Sequence, residues 1–351
     1  MKKLALIATL ILGASSAFAM DADGWATEFE SMSAFDSQYG KRSGYVKPII
    51  DNLGNVLNSN WYISASVPQS FTFEAGLPIS IIPIGDDDKS YDGSKPTIFG
   101  DHGNPQVRSD TIYGNKTLNG LGVFTYPYLQ MGASFFHFRA VIRGMYIPSI
   151  SELRRFSLFG LGFQYSFGHF FQYMLPKAAQ PLDVSLVYGY SSSSIGYRPG
   201  DFDGELKLDI STHDFSFVIG YKPVNFFEVM MSLGYQSAEM LSYGELYQEE
   251  ANVFGNSIRT NDICPDVTVK GNNGFRFGIA IALQISSLHP VIGYDYAGKS
   301  SFTTNVLYFK QQFGKDKTPD EIAKDKGYVR GAKTEETPAE EVSAESAEGE
   351  E

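Results

Sequence analysis

The chain has 351 residues, 14% aromatic and only 19% charged, with 35 glycines, 27 phenylalanines, 21 tyrosines and one cysteine. Its formal net charge is -12, but Glu335, Glu336, Glu340, Glu341, Glu345, Glu348, Glu350 and Glu351 concentrate much of it at the extreme C-terminus, so the remainder is mildly acidic. Nothing forms a basic stripe, which argues against nucleic acid as a partner. The lone Cys264 allows no internal disulfide and has no metal-ligand cluster around it, so it reads as a loop residue.

Residues 1–19 have the layout of a secretory signal peptide. Lys2 and Lys3 lead an apolar run over residues 4–13, and Ala17-Phe18-Ala19 supplies a small-x-small cleavage pattern. The run is too short for a membrane-spanning helix. No later apolar stretch reaches 18 residues, so no transmembrane helix is expected. Residues 20–58 are expected to form an N-terminal periplasmic or plug segment with an amphipathic helix over 46–58. There Val46, Ile49, Ile50, Leu53, Val56 and Leu57 make one stripe of a 3.6-residue period. Pro48 suits a first turn, and Gly54 weakens the middle. Such a helix either plugs the lumen mouth or packs at the periplasmic rim.

From residue 59 the period changes to two. Phe71, Phe73, Ala75, Leu77, Ile79 and Ile81 alternate with Thr72, Glu74, Gly76, Pro78 and Ser80. Pro78 cannot donate to a ladder and marks a break in pairing or a bulge. Residues 85–120 read as a long polar loop. Tyr128 to Ala133 then leads through a tight turn into a strand with Phe136, Phe138, Ala140, Ile142 and Tyr146 on one face and His137, Arg139 and Arg143 on the other. Phe159, Leu161, Phe163 and Tyr165 oppose Gly160, Gly162 and Gln164. Val184, Leu186 and Tyr188 oppose Asp183, Ser185 and Gly189. Phe215, Phe217 and Ile219 oppose Asp214, Ser216 and Gly220; Val229, Met231 and Leu233 oppose Glu228, Ser232 and Gly234. Residues 237–265 read as another polar excursion. Phe275, Phe277, Ile279, Ile281 and Leu283 then face away from Arg276, Gly278, Ala280 and Ala282, and Ile292 and Tyr294 from Gly293 and Asp295. A last strand ends near Phe313.

Every such strand carries a large apolar face backed by a small or polar one. Soluble sheets usually place Lys, Glu and Thr on the second face, not Gly and Ala. The inverse pattern belongs to a transmembrane barrel, lipid outside and lumen inside. The expected fold is therefore all-β: an antiparallel transmembrane β-barrel of about 10 to 14 strands over residues 59–313, in the bacterial outer membrane. Its partners would be outer-membrane lipid and the barrel-assembly machinery. Residues 314–351 lack periodicity and read as a disordered acidic tail.

Asn52-Leu-Gly-Asn-Val-Leu-Asn-Ser-Asn-Trp-Tyr62, Phe156-Ser-Leu-Phe-Gly-Leu-Gly-Phe163, Leu233-Gly-Tyr-Gln-Ser237 and Gly274-Phe-Arg-Phe-Gly278 resemble an uncharacterised outer-membrane barrel family of Gram-negative bacteria, which carries a domain of unknown function. The likeness covers about residues 45 to 310. The chain is more loosely similar to long-chain fatty-acid transporter barrels, in which an N-terminal segment folds into the lumen. That similarity is one of architecture, and no ligand residues come with either family.

No GxSxG, HExxH, P-loop or Cys/His metal spacing occurs, so neither an enzyme nor a cofactor is expected. The candidate lumen-lining residues are His137, Arg139, Arg143, Asp183, Asp214, Glu228, Arg276 and Asp295, with Pro78 as the candidate strand break. They form either a structural charge network or a ligand-facing patch. The expected function is a channel or uptake porin for small or hydrophobic molecules. The alternative is a non-conducting barrel that engages other envelope components through its loops and tail.

Overall fold

The structure, a computed structural model, describes residues 46–91, 95–97, 99–100, 122–149, 153–198, 203–251, 257–263 and 267–328. Residues 1–19, expected to be a signal peptide, residues 20–45, Cys264 and residues 329–351 lie outside the described residues. A helix, α1 (Lys47–Leu57), precedes β1 (Phe71–Gly76) and β2 (Ile79–Pro83); β3 (Ser90–Tyr91) and β4 (Lys95–Pro96) pair only with each other. Then follow β5 (Val123–Pro127), β6 (Leu129–Phe135), β7 (Phe138–Ile147), β8 (Leu153–Ser166), a single turn α2 (Gly168–Phe171), β9 (Leu182–Tyr197), β10 (Asp203–Val224) and β11 (Phe227–Ala251). The rest comprises β12 (Ser257–Ile263), β13 (Val267–Lys270), β14 (Gly274–Leu283), β15 (Val291–Tyr296), β16 (Ser300–Thr304), β17 (Tyr308–Phe313) and α3 (Pro319–Asp325).

The main sheet closes on itself. β1 and β2 are two halves of one strand, and so are β5 and β6: Thr72↔Ser134 and Ile79↔Pro127 keep a single register, and Tyr128 N–H bridges the gap by donating to Pro78 O at 3.1 Å. The other edge of that first strand pairs with the last, β1 with β17 and β2 with β16. Counted as continuous strands, the described residues form ten antiparallel staves, each paired with its sequence neighbour and the first with the last. From Gly76↔Tyr308 to Ile81↔Phe302 the first strand advances five residues and the last one six, a one-residue bulge opposite Pro78. Pro78 thus sits where the ladder slips. Leu77 N–H still donates to Leu307 O (3.0 Å), so the wall stays joined there.

The barrel is inside-out. Large apolar side chains point away from the protein, among them Phe275 (82% exposed), Ile292 (64%) and Leu233 (59%). Thr72, Gln130, Gln164, Ser185, Ser232 and Gln236 are buried on the inner face. A continuous outer belt of this kind exceeds what a protein in water exposes and is what lipid covers. On β14 it runs from Phe275 to Leu283, close to the roughly 9 to 11 residues a tilted strand needs to cross the bilayer.

β10 and β11, at 22 and 25 residues, continue well past that belt. Residues 237–251 are therefore strand, not the polar excursion that their composition suggests. The alternation persists, with Ala238, Met240, Ser242 and Leu246 buried, while the outer face turns to Ser237, Glu239, Tyr243 and Glu245. Leaving the bilayer changes the chemistry of the outer face without ending the ladder.

At the opposite end the turns are short, as between β6 and β7 or β10 and β11, and the first and last staves terminate there; such an end is periplasmic. α3 begins with a reciprocal capping box between Thr318 and Glu321, so a helix stands where the sequence shows no periodicity.

Candidate functional site: a filled lumen

Residues 46–67 lie inside the barrel. The apolar stripe of α1 packs in the outer half against Ile82, Phe124, Tyr126, Phe156, Leu158, Ile195, Leu206, Leu208, Ile210 and Met240. Gly54 permits this. A Cβ there would stand 2.6 Å from that of Ala238, so the glycine serves close approach to the wall at the expense of helix propensity. Past Leu57 the chain continues without regular secondary structure toward the periplasmic end, with Trp61, Ile63, Ser64, Ala65 and Val67 buried.

The inner half of the lumen holds that irregular chain by its backbone. Arg143 donates to Leu57 O (3.0 Å) and Ser59 O (2.8 Å), which places a guanidinium at the negative end of α1. Arg139 donates to Trp61 O (2.6 Å) and pairs with Glu74 on the first stave. Arg276 pairs with Asp295 at 3.0 Å and reaches Ser59 Oγ at 3.1 Å. Gln164 donates to Ser64 O (2.7 Å), His289 Nε2 to Ile63 O (3.0 Å), and Glu228 accepts from Ser64 Oγ (2.7 Å) and Ala65 N–H (2.8 Å). At about 0.5 to 1.5 kcal/mol each, these bonds hold the segment firmly and keep its buried backbone satisfied.

Of the candidates read from sequence, Arg139, Arg143, Asp183, Asp214, Glu228, Arg276 and Asp295 are all buried on the inner face. They do not form one patch. Arg276–Asp295 is an ion pair, Glu228 binds the threaded chain, and Asp183 accepts from Ser166 Oγ and Gly168 N–H near the periplasmic rim. Among the described residues, Asp214 accepts side-chain hydrogen bonds from the Ser216 hydroxyl alone, at 2.9 and 3.1 Å.

His137 corrects the reading. It is not on the lumen face of a strand but in the two-residue turn between β6 and β7, where Phe136 (φ 50°) and His137 (φ 66°) are both left-handed. That geometry matches the inverted turn that favours tight hairpins, normally signalled by Asn or Gly, and Phe-His gave no such signal. The turn receives the threaded chain as it leaves. His137 Nδ1 donates to Val67 O (3.1 Å), and the backbone N–H groups of Phe136 and His137 donate to Gln69 O and Pro68 O.

The His137 ring stacks on His169 of α2, with centroids 4.0 Å apart and planes 7° from parallel. Burial, and then the adjacent His137, hold the His169 imidazole below the usual histidine range. Because the unfolded chain then binds that proton more readily, stability is complete above about pH 6.5 and falls as the pH drops below it. Thermal midpoints should decline through that window for the parent, and a His169→Gln variant should show a flatter profile. Identical slopes would contradict the assignment.

Three contributors escaped sequence reading. Glu74 stood among the inward residues of the first strand, yet its partner could not be named. Trp61 and His289 lay in segments without clear alternation.

A family model described as a family of unknown function (DUF6588) matches residues 1–308. Ail, the attachment invasion locus protein of Yersinia pestis, has a similar structure at 9% identity, covering 69% of this chain and 98% of Ail, with a TM-score of 0.27. The P. putida toluene transporter TodX matches at 10% identity over 75% of this chain and 94% of its own (TM-score 0.28), and a Pseudomonas aeruginosa FadL homologue at 10% over 70% and 91% (TM-score 0.24). At such scores none of the three bears on what this chain does. No protein with a curated description matches the sequence.

Proposed function

This chain belongs to the DUF6588 family, and because that family has no assigned function we propose a reading from the lumen itself: an outer-membrane uptake channel for small or hydrophobic molecules, closed at rest by residues 46–67. One observation carries it. The filling comes from a segment that belongs to no stave, so it can move without unpairing a single rung of the wall. The apolar lining of the outer half supports an apolar cargo. A barrel with about eight staves is filled by its own side chains, and those with about sixteen leave a water channel. Ten staves fall between, wide enough to hold a chain.

A second reading, a non-conducting barrel that engages other envelope components, is favoured by β10 and β11, which project beyond the belt. Single-channel recording of the refolded mature protein separates the two. The full chain should be silent, and deletion of residues 21–67 should produce a steady conductance. If both are silent while heat-modifiable mobility shows both folded, the channel reading falls and the interaction barrel stands.

A further inference from the structure

The side chain at the centre of the plug has an unusual seat. The Trp61 indole lies on the wall at Gly162 and Gly189, neighbouring residues on adjacent staves. A Cβ at Gly162 would come 2.4 Å from the ring and one at Gly189 2.1 Å from it, so both positions are hollow because the indole fills them. The Arg143 guanidinium covers the other face of the indole, 3.3 Å from its centroid, with Tyr128 at 4.7 Å on the far side. Asp214 is the direct cross-strand partner of Gly189. The indole is thus set between Arg143 and the stretch of wall that carries Asp214.

The polar groups around this seat are poorly served. Among the described residues, Trp61 Nε1–H and Arg143 Nε–H are buried without a hydrogen-bond partner. Neither Arg143 nor Asp214 has an oppositely charged residue within ion-pair distance among the described residues, since Arg139 is taken by Glu74 and Arg276 by Asp295. Buried polar groups left in this state usually mark a strained or functional position. Here an unpaired cation, an unpaired anion and an orphaned N–H all surround one removable side chain.

We propose that Trp61 is the gate residue of the channel and that Arg143 and Asp214 form its charged constriction once the indole leaves. Withdrawal of the ring vacates a groove floored by Gly162 and Gly189, with a guanidinium at one side and a carboxylate at the other. Opposed charges across a narrow polar passage set up a transverse field, which orients small dipolar solutes and makes ion selectivity depend on both groups. The same withdrawal brings two unpaired charges into reach of each other, which offsets the lost cation–π contact. This proposal rests on the plugged-channel reading and names the residues that open and select.

The test uses the full chain. Trp61→Ala should convert a silent barrel into one with steady conductance, whereas Trp61→Phe, which keeps a ring in the seat, should stay closed. In the Trp61→Ala background, Asp214→Asn should shift the reversal potential toward anion selectivity and Arg143→Gln toward cation selectivity. Heat-modifiable mobility confirms that each variant is folded. A silent Trp61→Ala chain beside a conducting deletion of residues 21–67 would overturn the gate and leave the channel intact. Conductance in Trp61→Ala that neither charge change alters would overturn the constriction. Silence of the deletion itself would remove the channel reading and this proposal together.

Discussion

Gly189→Ala should destabilise the barrel by up to about 3 kcal/mol, the upper end of the usual penalty for overpacking a closed core. The added methyl would stand 2.1 Å from Cε2 and Nε1 of Trp61, and a fused ring cannot bend aside as the end of a flexible chain would. Either the ring leaves its seat, with loss of the Arg143 contact, or β9 moves away from its neighbours. Gly144→Ala on β7 is the matched control, because the nearest atom to its new Cβ is Leu158 O at an ordinary 3.5 Å. Urea unfolding in detergent micelles, followed by tryptophan emission, reads both variants. The chain has two tryptophans, so a blue-shifted component lost on Gly189→Ala reports the plug directly. Equal midpoints for parent and Gly189→Ala would mean that the indole does not occupy this seat.

The second large effect is expected at Arg139. Its guanidinium pairs with Glu74 on the first stave and reaches Tyr308 Oη on the last at 3.3 Å, while Tyr308 itself donates to Glu74 at 3.0 Å. The third stave thereby ties the seam where the barrel closes. Gly132, between them on the second stave, is bare because a Cβ would lie 2.4 Å from the Glu74 carboxylate. Arg139→Leu strands Glu74 as a buried charge without its cation, which typically costs about 3 to 5 kcal/mol. Removing both charges together, Arg139→Met with Glu74→Leu, should recover most of that loss, because the penalty lies in the orphaned carboxylate rather than in the missing attraction. Melting of heat-modifiable mobility measures each. A single variant as stable as the parent, or a double variant no better than the single, would refute the seam network.

The strand faces were legible because their signal is local. In β14 every second residue from Phe275 to Leu283 is large and apolar, so neither register nor partner is needed to say which face meets lipid. Arg139, Arg143, Asp214 and Glu228 were placed on inner faces by the same parity. Parity failed where the backbone left the strand, at the left-handed Phe136-His137 turn. Composition misled above the membrane, where residues 237–251 keep alternating but carry Ser, Glu and Tyr beside Leu241 on the outer face.

By itself, then, the sequence determined the inside-out barrel, the inward set of charges and a helical stripe before the first stave, since each follows from a period of two or of 3.6 residues. Only the tertiary structure decided that residues 46–67 thread the lumen, that Arg139 meets Glu74, and that Trp61 rests on Gly162 and Gly189. Those contacts join residues 65 to 128 positions apart, brought together only once the staves have paired and the threaded segment lies within them. No local pattern records such a meeting, because a glycine that receives an indole looks in sequence like any other small residue on an inner face.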